Sequence, residues 1–203
     1  MGMKLVTFIR NIPEFELLNE QDRFTLFKYN SPLVFFMYLS LNYDTNRDMI
    51  INSHVETEEY AIACKQLSFY CYGEQLTSQL NRLLRSVKEI VENDAIILQL
   101  MMIILVFVKG ASMGDIVSNQ ELILFDSEQV YQAQSTYISL LFRYMIKKQS
   151  TYDQAVRQYS QLIQKIIQMQ MLVQTHQQFL QQQLIGTRDE EVNPVMKSIL
   201  CLH

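Results

Sequence analysis

The run SPLVFFMYLSL, from Ser31 to Leu41, is almost uninterruptedly apolar and carries no charge. Wound into a helix it is greasy on every side, and a helix without a polar face belongs in the middle of a layered protein. The residues before it determine how it is entered. In FIRNIPEFELLNEQDRFTLFK, Phe8 to Lys28, an amphipathic helix is stopped by Pro13, a short link follows, and helix resumes after Asn19. Asn19 is a good N-cap, accepting from first-turn N–H groups, while Glu20 and Asp22 put negative charge where the helix dipole favours it. Pro32 has no N–H to donate and is expected to begin a new helical turn or to kink the helix it sits in.

A second segment, AIILQLMMIILVFV from Ala95 to Val108, imitates a membrane span. As a helix it reaches about 21 Å, short of a hydrocarbon core of about 30 Å, and it contains Gln99. It reads as a buried helix. With five glycines, three prolines and few period-2 runs, the chain is expected to be all-α. Its 203 residues suit one domain that buries roughly 70 % of its unfolded surface. A net charge of −4 and no sustained basic stripe argue against direct contact with nucleic acid. Cys64, Cys71 and Cys201 are too scattered for a disulfide framework or a four-ligand zinc site, and read as small buried hydrophobes in a reducing compartment. The N-terminus, MGMKLVTFIR, lacks the apolar core and cleavage site of a signal peptide. Gly2 is not a myristoylation signal, because Val6 stands where that motif needs Ser or Thr.

Along the chain, residues 1–12 read as the back half of a helix and 43–56 as a loop or small hairpin, with His54 facing solvent. Helices are expected over about 57–71 and 75–92, then 95–108. A loop from Gly110 to Asp126 leads to a helix over Ser127–Lys148. The last helix runs from Tyr152 to about Leu184. There Ala155, Tyr159, Leu162, Ile166, Met169, Val173, His176, Leu180 and Leu184 fall on one stripe by steps of four and three, opposite a row of glutamines.

The spacing from Phe8 to Lys28 resembles the signature of the nuclear hormone receptor ligand-binding domain, F-A-K-x-x-P-G-F-x-x-L-x-x-x-D-Q-x-x-L-L-K. Phe8, Pro13, Phe15, Leu18, Asp22, Leu26 and Lys28 match; Ile9, Arg10, Glu14, Arg23 and Phe27 depart from it without a gap. YSQLIQKIIQMQMLVQTHQQFLQ is similar to a late helix of the subfamily containing the peroxisome-proliferator-activated and haem-binding receptors, sharing Leu162, Gln164, Lys165, Val173 and His176. Val130–Met145 is similar to the helix before it, and Asn193–Leu200 occupies the place of the last helix. The resemblance implies a three-layer antiparallel helical sandwich over residues 1–203, lacking the first helix, the upstream half of the third and the zinc DNA-binding module. The open wall left by the missing half-helix is expected to weaken ligand binding and stability.

The resemblance also implies sites. A small lipophilic ligand would touch Phe35, Phe36, Leu39, His176 and Leu180. A coregulator helix of LxxLL or corepressor type would lie in a groove of Val6, Arg10, Phe24, Phe27, Lys28, Val195 and Ser198. A homo- or heterodimer with another receptor would use Leu162, Ile163, Ile166, Met169 and Val173. The family's clamp needs a carboxylate where Ser198 stands; a lost charge-assisted hydrogen bond costs roughly 1.5–3 kcal/mol. Activator recruitment is therefore expected to be weak, which favours repression or silence. His176 is a ligand or haem contact by resemblance, yet the fatty-acid clamp's other members are replaced by Pro32 and Leu200, so a core histidine is the plainer reading. The expected setting is transcription regulation in the nucleus.

Two other readings compete. One is a ligand-independent interaction scaffold on the same fold, its cavity filled by aromatic side chains. The other is an unrelated helical adaptor using 152–184 as a coiled coil, which Gly186 and Pro194 disfavour. The LxxLL string Leu80–Leu84 is expected to pack into the domain. No catalytic or metal-binding pattern is present, and no cofactor other than haem through His176 is implied.

Overall fold

A computed structural model of the protein describes residues 2–51, 57–109 and 124–184. Over these residues the fold is all-α with one minimal hairpin. Helix α1 (Gly2–Arg10) ends on a basic residue, and α2 (Pro13–Glu16) is a single turn with Pro13 at its start, where a missing N–H is harmless. Helix α3 (Glu20–Leu41) is capped by Asn19, whose Oδ1 accepts the Asp22 N–H at 2.8 Å. The helix continues through Pro32, which starts no new helix. Leu33, Val34 and Met37 are fully buried around it, and that packing outweighs the lost backbone bond, worth about 3 kcal/mol.

Strands β1 (Tyr43–Asp44) and β2 (Met49–Ile50) pair antiparallel; His54 and its neighbours lie outside the described residues. Helix α4 (Glu58–Ile90) is broken at Gly73, φ 76° and ψ 167°, a backbone that only glycine adopts without strain. The two expected helices are its halves. Helices α5 (Ala95–Val106), α6 (Ser127–Lys148) and α7 (Tyr152–Leu184) complete the order.

The central pair is α3 and α5. Helix α6 covers α5, α4 and α7 pack together, and both lie against α3. Helix α1 and the link add Leu5, Ile9, Ile12, Phe15 and Leu18 to the same core. Helix α7 is thus docked along its length rather than projecting. None of the described helices is long and apolar enough to cross a membrane. Leu80, Leu83 and Leu84 are buried, so the LxxLL string does pack inward.

Three sequence-based expectations need correction. Leu162, Ile166, Met169 and Val173, expected at a dimer face, are buried in this chain's own core, and Ile163 packs half-buried against it. A stripe at helical spacing records that a partner exists, and here the partners are α4, α3 and α6. Gln158 leaves the glutamine row for the interior, where its Nε2 donates to the Ile90 carbonyl at 2.7 Å. Asp22, the first-turn charge of α3, is fully buried. Cys64 is half-buried and Cys71 exposed rather than interior; Cys201 lies outside the described residues.

Buried polar groups close the ends of the helices. Asp22 takes the Phe125 and Asp126 N–H groups at 2.8 and 3.0 Å, just ahead of α6. Asn30 donates to the Val106 and Val108 carbonyls, both at 2.8 Å, ending α5. Lys88 donates to the Leu41 carbonyl at the end of α3, and burial depresses the pKa of that lysine despite nearby Asp44. Asp94 caps α5 through Ile96 and Ile97 and accepts from Tyr144 Oη and Lys148 Nζ of α6.

Two outcomes follow from these ties. Asn30→Ala strands two backbone carbonyls, one of them in the core, and should destabilise by about 2 kcal/mol in urea unfolding. Burial alone would raise the Asp94 pKa, but Lys148, Tyr144 and the two N–H groups outweigh it and hold the carboxyl below its ordinary value. Its contribution is therefore present above the unfolded pKa of about 3.9 and lost as pH falls through the lower folded value. Asp94→Asn should lower stability at neutral pH and flatten the acid limb of a stability–pH curve.

Candidate functional site

The corner where α1, α2 and α3 meet gathers the described groove residues. Val6 and Arg10 are one turn apart on α1 and point outward, while Leu5 and Ile9 on the other side are buried. On α3, Phe24, Phe27 and Lys28 share a face by the same spacing. Phe24 is 56 % exposed, and Phe27 is half-buried against the core. Lys28 is half-buried, with Nζ 5.2 Å from the Tyr29 ring centroid.

One carboxylate ties this corner together. Glu16, in the link, accepts from Arg10 Nε at 3.4 Å and from Arg23 Nη1 at 3.0 Å. It connects the end of α1 to the first turns of α3. These pairs are solvent-facing and each contributes about 0–1 kcal/mol, so their effect is to orient rather than to stabilise. From the α6 side, Tyr137 donates to Glu14 Oε2 at 2.5 Å. Burial, then the Glu14 carboxylate, push the tyrosine up to about 12. The corner thus carries exposed Val6 and Phe24 together with the cations Arg10 and Lys28, on a backbone braced through Glu16. Val195 and Ser198, the other expected members, lie outside the described residues.

The expected ligand residues converge at α3 and α7. The His176 ring centroid is 5.2 Å from that of Phe36, edge to face, and Phe36 is 6.2 Å from Phe35. Leu39 is buried one turn past Phe36, and Leu180 is half-buried one turn past His176. Sequence reasoning missed two members: Tyr72, 4.8 Å from His176, and Phe179, 6.1 Å from Tyr72. The only signal for Tyr72 is its place just before Gly73. His176 is 5 % exposed, and its Nε2 has no hydrogen-bond partner among the described residues. Burial lowers its pKa, so the neutral ring is favoured.

A further polar group pins the hairpin to α4. Tyr43 donates to Asp48, which also accepts from Arg85 at 2.8 Å and lies 3.4 Å from Lys65 Nζ. Burial, then Asp48, raise the Tyr43 pKa to about 12. Surface depressions of about 680 and 440 Å³ lie by the hairpin (Tyr43, Arg47, Lys88, Asn93) and between α4 and α7 (Arg82, Leu83, Lys165, Met171). Neither includes an expected ligand contact. Among the described residues no group of three or more histidine, cysteine and carboxylate side chains could hold a metal ion.

Neutral His176 buried among aromatic rings has a folded pKa below its unfolded value. Its contribution is present above about pH 6.5 and lost as pH falls. Replacing it by phenylalanine should leave stability at neutral pH unchanged or higher. The decline between about pH 7 and pH 5, followed by circular dichroism in urea, should shrink.

No protein-family model and no curated protein sequence matches this chain, so residue pattern and geometry carry the functional reading.

Proposed function

We propose that this chain is a nuclear-receptor-type ligand-binding domain that regulates transcription through protein contacts at the α1–α2–α3 corner. The observation that carries the reading is the exposed Phe24 with Val6 and Phe27, flanked by Arg10 and Lys28, on the segment that resembles the receptor signature. An amphipathic helix lays its apolar anchors on such a surface, and a cation at one end complements the carbonyl end of its dipole. The central placement of α3 and α5, with α4 and α7 on one side and α1 joining the core, is consistent with the three-layer sandwich of that family. The chain acts in the nucleus with a coregulator helix and a second receptor-type domain as partners, and without contact to nucleic acid of its own. Ser198 in place of the clamp carboxylate turns the preference toward the longer helices of corepressors.

The aromatic group around His176 marks the ligand position in this reading. The same rings, in mutual contact at 4.8 to 6.2 Å, favour a second reading in which the cavity is filled and the domain is a ligand-independent scaffold. Native mass spectrometry of the purified chain separates the two: a co-purified lipid or haem supports the first, the bare mass the second.

Fluorescence polarisation with labelled helical peptides tests the corner. A corepressor-type helix should bind in the micromolar range, and Phe24→Ala should weaken it about tenfold, the effect of a buried aromatic anchor. An LxxLL peptide that binds as well, and loses affinity on deletion of residues 194–203, would replace silencing with activation. Neither peptide binding would remove the receptor reading.

A further inference from the structure

The first half of α4 shows water the wrong side chains. On a docked amphipathic helix the solvent face is polar. From Thr57 to Gly73, however, Tyr60, Ala63, Leu67 and Tyr70 stand outward at steps of three and four, with Cys71 four residues past Leu67, so they form one ridge. Leu67 is 59 % exposed and Tyr70 89 %. About a third of a turn round the helix lie buried Ala61 and half-buried Cys64, Ser68 and Tyr72, while Ile62 and Gln66 continue the exposed face on the other side of the ridge. Single exposed apolar residues need no explanation, but a ridge of five on one helix face marks an interaction surface. Tyrosines suit that task because they bring large area with few rotatable bonds.

Charge indicates what covers it. Glu59 is exposed at the N-terminal end of the ridge, and Glu74, the first residue past the break at Gly73 that ends it, is exposed as well. The one lysine of this half, Lys65, is turned away to the carbonyl and carboxylate of Asp48. Arg47, the nearest cation on the hairpin, is drawn to Asp44 and Glu58. A second copy of this chain laid antiparallel on the ridge would set Glu59 against Glu74, a like-charge contact at each end. An anionic lipid surface meets the same repulsion. The complementary occupant has an apolar stripe of matching spacing with basic residues at its ends.

We propose that the Tyr60–Leu67–Tyr70 face of α4 is a docking surface for an amphipathic helix of another protein, its apolar stripe flanked by lysines or arginines. The site is separate from the α1–α2–α3 corner and independent of the receptor reading. The ridges and grooves of two helices interlock through i, i+3 and i+4 rows like this one. Gly73 ends the ridge by turning the chain, so the docked helix need not follow the second half of α4.

The probe is a leucine-striped helical peptide with lysines at both ends, labelled for fluorescence anisotropy, against the same peptide ended in glutamates. The lysine-ended peptide should bind roughly tenfold more tightly, a 1.4 kcal/mol difference, and the difference should close as salt is raised. The double variant Leu67→Ser, Tyr70→Ser should weaken it at least tenfold with an unchanged thermal midpoint, since both side chains are exposed. Glu59→Gln with Glu74→Gln, which leaves the ridge intact, should remove most of the preference for the lysine-ended form. Equal binding of both peptides, or binding indifferent to the serine variant, overturns the proposal. So does a concentration-dependent dimer in sedimentation that the serine variant abolishes, because the face then belongs to a second copy.

Discussion

A helix with almost no polar face can be buried only if something else satisfies its ends, and α5 is that helix. The backbone N–H groups of its first turn and the carbonyls of its last have no partners of their own. The first turn, with Ala95, Ile96 and Gln99 exposed, is open to solvent, but the carbonyls at the buried end would cost about 1–3 kcal/mol each if left bare. The chain meets this from two sides: Asp94 takes the N-terminal donors and is itself held by Tyr144 and Lys148 of α6. Asn30, reaching across from α3, takes the C-terminal carbonyls. The central helix is thereby stitched to the layer on each side of it by its own capping groups.

The same device recurs outward. Asp22 serves the start of α6, Lys88 the end of α3 and Gln158 the end of α4. Each tie joins elements far apart in sequence, so the polar groups dictate which helix end meets which neighbour while the apolar groups supply the driving force. The α1–α2–α3 corner belongs to this scheme, with Glu16 and Tyr137 fixing its backbone and leaving Phe24 and Val6 outside. The scheme is incomplete at three buried atoms among the described residues, Asn30 Oδ1, Ser31 Oγ and His176 Nε2, and the last of these sits in the aromatic group.

Much of this was legible in the residues. The periodicity of 152–184 and its neighbour set α7 and α6 at the expected bounds, the Asn19 cap is where the short link required it, and the glycine at 73 divides α4 as its two expected halves foretold. What periodicity cannot say is who lies against a stripe. The buried face of α7 reads equally well as a dimer seam until α4 is seen against it. Polar residues inside apolar runs were harder still. Asn30 and Gln158 look like ordinary helix residues, because their acceptors lie 76 and 68 residues away. Of the candidate sites, Phe36 and His176 do meet, but Tyr72 and Phe179 enter from turns whose approach depends on how the helices pack.

The break at Gly73 separates two lengths of helix that need not melt together. The length after it is anchored by Leu80, Leu84 and Val87 in the core, whereas the length before it contributes little beyond Ala61. Tyr72 is the last residue before the break and rests on His176. The contact of Tyr72 with His176, 4.8 Å between ring centroids, is therefore where the outer turns of α4 touch α7 across the break.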